Sequence, residues 1–129
     1  MRVITFGTFD VFHVGHLNIL ERAKELGNYL VVGVSSDQLN FEKKNLHSVF
    51  NQNERMRIIN ALDCVDEVFI EESLELKKEY ILKYEASILV MGDDWAGKFD
   101  HLNDCCNVIY LPRTPAVSTT AIIEVIKNQ

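Results

Sequence analysis

The chain has 129 residues, enough for one domain with its own core and no need of a metal or disulfide to fold. Hydrophobic residues at 47% and charged residues at 25% exclude a disordered or fibrous chain. Thirteen basic against nineteen acidic side chains leave a net charge of -6, which repels nucleic-acid backbones and anionic membranes at long range but still allows small anions in locally basic pockets.

In chain order, Val3 to Phe6 is a short β-branched and aromatic run that reads as a buried strand. It is too short for a signal-peptide core or a membrane span. A turn-like Gly7-Thr8-Phe9-Asp10 follows. From His16, Leu17, Leu20 and Ala23 recur at helical spacing, Ile19 and Leu26 widen the stripe, and Gly27 stands where a C-terminal cap belongs. Tyr29 to Val34 is a second apolar strand. Asp37 to Phe50 is polar, with Lys43, Lys44 and His47, and reads as a mobile loop with a short helix. Glu54 to Leu62 is helical, with Met56, Ile59 and Leu62 on one face. Glu67 to Ile70 is the third strand, and Ser73 to Tyr84 a helix with Ser73 as its cap. Ile88 to Met91 and Val108 to Leu111 are the fourth and fifth strands, and Ser118 caps a closing helix that runs to Ile126. Cys64, Cys105 and Cys106 are odd in number and two are adjacent, so no disulfide framework is expected and a reducing, cytoplasmic setting fits.

Strand and helix alternate throughout, and the strands are apolar on both faces. That pattern predicts a parallel sheet covered by helices, a doubly wound three-layer α/β fold spanning residues 1–129 as a single domain. Ligands of such sheets bind beyond the carboxyl ends of the strands. Three loops there carry chemistry. The first holds His13 and His16 around Gly15 at the entrance to a helix, where free N–H groups and a partial positive charge favour an anion. Two imidazoles can donate to phosphate oxygens there, or can cap the helix and pack on the sheet. A zinc site with the cysteines lacks a second ligand pair at metal-site spacing. The second loop holds Gly92, Asp93, Asp94 and the sole tryptophan, Trp95. Its carboxylates suit ribose hydroxyls, a base amino group or hydrated magnesium, or form a plain acidic turn. The third holds Arg113, able to grip phosphate with two parallel bonds, and the hydroxyls of Ser118, Thr119 and Thr120 at a helix start, where they can equally serve as an ordinary cap. The usual dinucleotide and Walker phosphate loops are absent.

Gly-Thr-Phe-Asp-x-x-His-x-Gly-His at 7–16, Gly-Asp-Asp-Trp-x-Gly-Lys-Phe-Asp at 92–100 and Arg-Thr-x-x-x-Ser-Thr-Thr at 113–120 together resemble the cytidylyltransferase family of nucleotidyltransferases. The resemblance covers essentially the whole chain. It implies a Rossmann-like five-stranded parallel sheet and the reaction of CTP with an alcohol phosphate, giving a CDP-alcohol and pyrophosphate by direct in-line attack. The second motif points to sn-glycerol 3-phosphate as acceptor. By the same resemblance, His13, His16, Lys44 and Arg113 would act on the reacting phosphates. Thr8, Phe9, Asp10, Val14, Gly15 and Arg55 would meet the nucleotide, as would Gly92, Asp94, Trp95, Thr114, Ser118, Thr119 and Thr120. Lys43 and Lys77 would hold the acceptor. Magnesium would accompany CTP, and a cytoplasmic homodimer is implied. Two departures stand out. Ala116 occupies a position where the family usually has glycine, and Lys43 and Lys44 are adjacent, so in an extended stretch they point opposite ways. The competing readings are an adenylyltransferase of the same fold acting on FMN or a sugar phosphate, a different CDP-alcohol-forming acceptor, and a non-catalytic nucleotide-binding domain.

Overall fold

The computed structural model describes residues 1–114 and 118–129; the departure at Ala116 lies outside the described residues, as does the side chain of Lys44. Five strands, β1 (Arg2–Gly7), β2 (Tyr29–Ser35), β3 (Glu67–Glu71), β4 (Ile88–Gly92) and β5 (Asn107–Leu111), form one sheet in the order β3-β2-β1-β4-β5. Every pairing is parallel. Strand order reverses between β1 and β4, and the cleft described below opens at that point.

The alternation of side chains along each strand builds the three layers. Val3, Leu30, Val32 and Val90 face one way and pack under Leu20, Ala23 and Ile59. Ile4, Val31, Leu89 and Met91 face the other way and pack under Ile81 and Leu102. The helices are α1 (Val14–Glu25), α2 (Asp37–Lys44), α3 (Gln52–Asn60), α4 (Lys77–Lys83) and α5 (Thr119–Lys127). α1 and α3 thus cover one face of the sheet and α4 the other.

Several local expectations need correction. Gly27 is not a left-handed cap: the helix ends at Leu26 in right-handed geometry, and a Cβ on Gly27 would come within 2.4 Å of the Met1 carbonyl oxygen, so glycine is needed there for close approach. The expected helix over 73–84 is split. Ser73 Oγ accepts from Glu75 N and caps a short 3-10 turn at Leu74–Leu76, and only Lys77–Lys83 is α-helical. The 37–50 stretch does hold the expected short helix, at its start. Ser36 caps the eight-residue α2, and Asn45 closes it in left-handed conformation. Lys43 and Lys44 therefore sit in the last turn of a helix, about 100° apart around its axis, not on opposite faces of an extended strand.

Candidate active site

The loop leaving β1 is strained and braced. Phe9 and Val11 have φ of 54° and 48°, a left-handed conformation that costs roughly 1–2 kcal/mol per non-glycine residue. The Phe9 ring folds back beneath Gly7, so closely that a Cβ on Gly7 would lie 2.8 Å from it. The compensation comes from Asp10 and Arg55. Asp10 Oδ1 accepts from Val11 N (3.1 Å) and Phe50 N (2.9 Å), and Oδ2 from Val49 N (2.7 Å). Thr119 Oγ1 donates to the Asp10 carbonyl at 2.8 Å. Asp10 thereby ties the segment before α3 and the start of α5 to the histidine loop.

His13 is the N-cap of α1. Its Nδ1 accepts from Gly15 N at 3.0 Å, while His16 Nδ1 accepts from His13 N at 3.2 Å, so the two imidazoles close a reciprocal capping box. The rings stack with centroids 3.8 Å apart. An Nδ1 that accepts a hydrogen bond is unprotonated, so the neutral ring carries its proton on Nε2. Both histidines are neutral under ordinary conditions. Burial, reinforced by His13 and Arg113 against the opposing Asp10 charge, brings His16 down to about 4. Burial and then Arg113 also lower His13. His13 Nε2 is buried and has no partner among the described residues. A buried donor without a partner is costly and points to a ligand acceptor. The structural and functional readings of this pair are therefore compatible: capping uses Nδ1 and leaves Nε2–H available.

A cleft of about 560 Å³ runs along the carboxyl edge of the sheet above this pair. Thr8, Phe9, Asp10 and Gly15 line it beside the histidines. From the β5 side come Arg113, Thr114, Ser118, Thr119 and Thr120. Ser118 Oγ accepts from Ala121 N at 3.0 Å, so it caps α5 as expected, and Asn18 Nδ2 pins Thr114 Oγ1 at 3.0 Å. From β4 come Gly92, Asp94 and Trp95. A Cβ on Gly92 would stand 2.7 Å from Asp94 Oδ1, so glycine lets that carboxylate turn back over the strand end. Lys43 and Lys77 also line it.

Two expected nucleotide contacts do not line the cleft. Val14, in the first turn of α1, is largely exposed at its rim. Arg55 is fully buried, and its guanidinium is engaged by protein acceptors. Nη1 donates to the carbonyls of Thr8 and Ser35, each at 2.8 Å, Nε to the Phe50 carbonyl at 3.0 Å, and Nη2 to Asp37 Oδ1 at 2.7 Å. It braces the Thr8 loop from behind and does not reach the cavity. Asn40 and Glu71, both buried in the cleft wall, were not among the expected site residues. Asn40 Oδ1 accepts from Thr8 Oγ1 (3.1 Å) and Ser35 Oγ (2.8 Å), orienting the first loop from α2. Glu71 ends β3 and pairs with Lys77 Nζ at 2.5 Å. An acidic residue closing an apolar strand at the ligand edge was the signal that could have found it; nothing in the local sequence marks Asn40.

A family model for cytidylyltransferase-like proteins matches residues 4–125. The chain is 49% identical over 123 residues to a glycerol-3-phosphate cytidylyltransferase of Bacillus subtilis (strain 168), covering 95% of each. It is 42% identical to one of Staphylococcus aureus (strain NCTC 8325 / PS 47), covering 94% of this chain and 91% of that one. Among solved structures, a lipopolysaccharide core biosynthesis protein from Thermoplasma volcanium GSS1 superposes with a TM-score of 0.73 at 25% identity, covering 88% of this chain and 96% of that one. With the doubly wound sheet, the stacked histidines at the start of α1 and a family match over nearly its whole length, this chain belongs to the cytidylyltransferase-like family.

Proposed function

We propose that this protein transfers a cytidylyl group from CTP to sn-glycerol 3-phosphate, forming CDP-glycerol and pyrophosphate. The buried Nε2–H of His13 at the helix start carries the reaction class, because it offers a donor to an anion where no group among the described residues accepts it. The choice of substrates is supported by near-full-length identity to proteins named for that reaction. A phosphate oxygen of the acceptor attacks the α-phosphorus of CTP. The bond from that phosphorus to the oxygen of the β-phosphate breaks, and pyrophosphate leaves with the electron pair. Charge grows on the α-phosphoryl oxygens during this step, and fixed donors lower its energy without reorganising.

In this reading His13 and His16 donate Nε2–H to those oxygens as neutral imidazoles. Arg113 supplies a two-bond fork, and the N-termini of α1 and α5 supply backbone amides. Thr8 and Phe9 flank the nucleotide through their backbone, and Asp94 beside Gly92 and Trp95 meets the nucleoside. Lys43 and Lys77, which line the cleft, stand toward the acceptor. Among the described residues no three His, Cys, Asp or Glu side chains cluster as a metal site. Magnesium would accompany CTP and partly neutralise the charge of its phosphates. A cytoplasmic homodimer completes the proposal. The test is pyrophosphate release from CTP and from ATP across a panel of acceptor phosphates, beside analytical ultracentrifugation. CTP-dependent turnover of glycerol 3-phosphate is expected; preference for ATP overturns the nucleotide, and turnover of another phosphate alone overturns the acceptor.

A further inference from the structure

The two ends of the cleft differ in polarity. At one end the imidazole pair, Arg113 and the starts of α1 and α5 are all donors, a setting for anions. At the other end Glu71 and Lys77 are 1% and 4% exposed and pair with each other, so their charges cancel locally. Lys77 Nζ also lies 4.4 Å from the Phe6 ring centroid and 5.4 Å from that of Phe99. Leu74 adds an apolar wall. A dianionic phosphate entering this end meets a carboxylate as closely as an ammonium and gains little. A hydroxyl fits both members, because it donates to the carboxylate and accepts from the ammonium.

Resting on the proposed cytidylyl transfer, we infer that Glu71, with Lys77, is a specificity-determining residue that reads the free hydroxyls of the acceptor. The phosphate of the same acceptor points toward the histidine end. The geometry of the reaction requires this orientation. The attacking phosphate must lie against the α-phosphate held over α1, so the carbon chain extends away from it. The histidines follow β1 and Arg113 follows β5, whereas Glu71 ends β3, the edge strand farthest from β5 in the sheet. A site whose buried groups expect a hydroxyl rejects the analogue that lacks one, because those groups are then left desolvated without a partner.

The experiment compares kcat/KM for sn-glycerol 3-phosphate and for n-propyl phosphate, the same chain without hydroxyls, in the parent and in Glu71→Gln. The parent is expected to favour glycerol 3-phosphate by about 100-fold. The variant should raise the KM for glycerol 3-phosphate at least tenfold, narrow the preference to within about tenfold, and leave the CTP KM within about twofold. An unchanged preference in the variant, or equal losses on both acceptors, overturns the inference. Breaking a buried pair leaves an unpaired ammonium, so Glu71→Gln/Lys77→Met, which neutralises both partners, is measured alongside with a thermal melt. It too must lose the preference while folded. A parent that turns over both acceptors equally overturns this inference alone, whereas a parent inactive with glycerol 3-phosphate overturns the activity reading and the inference with it.

Discussion

Replacing Arg55 with methionine tests whether that guanidinium is a brace or a substrate ligand. Methionine keeps most of the stem and removes every donor. Three backbone carbonyls, those of Thr8, Ser35 and Phe50, lose their partner, and Asp37 loses its buried counter-ion. Hydrogen bonds to a charged donor contribute about 1.5–3 kcal/mol each, so a naive sum over four reaches roughly 6–12 kcal/mol. That sum is too large. Asp37 is 43% exposed and regains water, and two of the carbonyls are only partly buried. A net loss of about 4 kcal/mol, within the usual 3–5 kcal/mol for breaking a buried pair, is the expected outcome. With an unfolding entropy of about 0.27 kcal/mol/K for a chain of this size, Tm should fall by roughly 15 °C. The assay is a thermal melt beside CTP binding at a temperature where the variant is folded. Catalysis should fall too, because the strained Phe9–Val11 turn loses its support, but the fall follows the melt. A variant that melts like the parent while losing CTP affinity would refute the buried brace and restore Arg55 to the nucleotide.

Further outcomes follow from the same geometry. His16 is held neutral by burial, down to about 4 from an ordinary 6.5, so the unfolded chain takes up its proton first as pH falls. That stabilising contribution is intact above about pH 6.5 and is lost progressively toward pH 4. Tm measured across that window should therefore drop less steeply in His16→Asn than in the parent; parallel curves would contradict the assignment. Arg113→Lys keeps the charge but not the planar fork, so kcat/KM for CTP should fall at least tenfold in steady-state kinetics, and parent-like kinetics would move Arg113 out of the phosphate site. Alanine at position 43 or 44 should lower kcat tenfold or more at one of the two; if neither responds, the end of α2 takes no part in transfer.

The fold was legible because strands covered on both faces are continuous apolar runs, and β1 to β5 each announced themselves that way, even the half-buried edge strand β5. α2 was not. Its Asp-Gln-Leu-Asn-Phe-Glu-Lys-Lys lacks a wide apolar stripe, and it is held instead by the Ser36 cap, buried Leu39 and the contacts of Asn40 with Thr8 and Ser35. Loop positions at the ends of β1, β4 and β5 pointed correctly to one cleft, since topology alone gathers them there. What an individual side chain does inside that cleft was less legible. An arginine in a polar helical turn gives no sign that two carbonyls from distant segments will converge on it beside one from the turn before its own helix, and Glu71 and Lys77 meet only because the 3-10 turn after β3 brings α4 back across the strand end. Such roles depend on tertiary closure, which neither spacing nor composition encodes locally.

His13 separates fold from chemistry within one side chain. Its Nδ1 caps α1 through Gly15 N, and its Nε2–H is the donor left over. Asparagine can supply the first function, because its side-chain oxygen is a good N-cap acceptor, but it does not reach where Nε2 stands. Alanine supplies neither. Losing a cap costs about 1 kcal/mol, or roughly 4 °C in Tm at this chain length. His13→Ala should therefore melt about that much below the parent, while His13→Asn melts close to it. Removing one preorganised donor to a developing charge lowers kcat by roughly 10²- to 10³-fold, and this loss should be equal in the two variants. Equal kcat losses with unequal melts would separate the two nitrogens experimentally. Asparagine retaining near-parent kcat would mean that the imidazole serves only the helix, and that the donor for the transferred phosphoryl group lies elsewhere in the cleft.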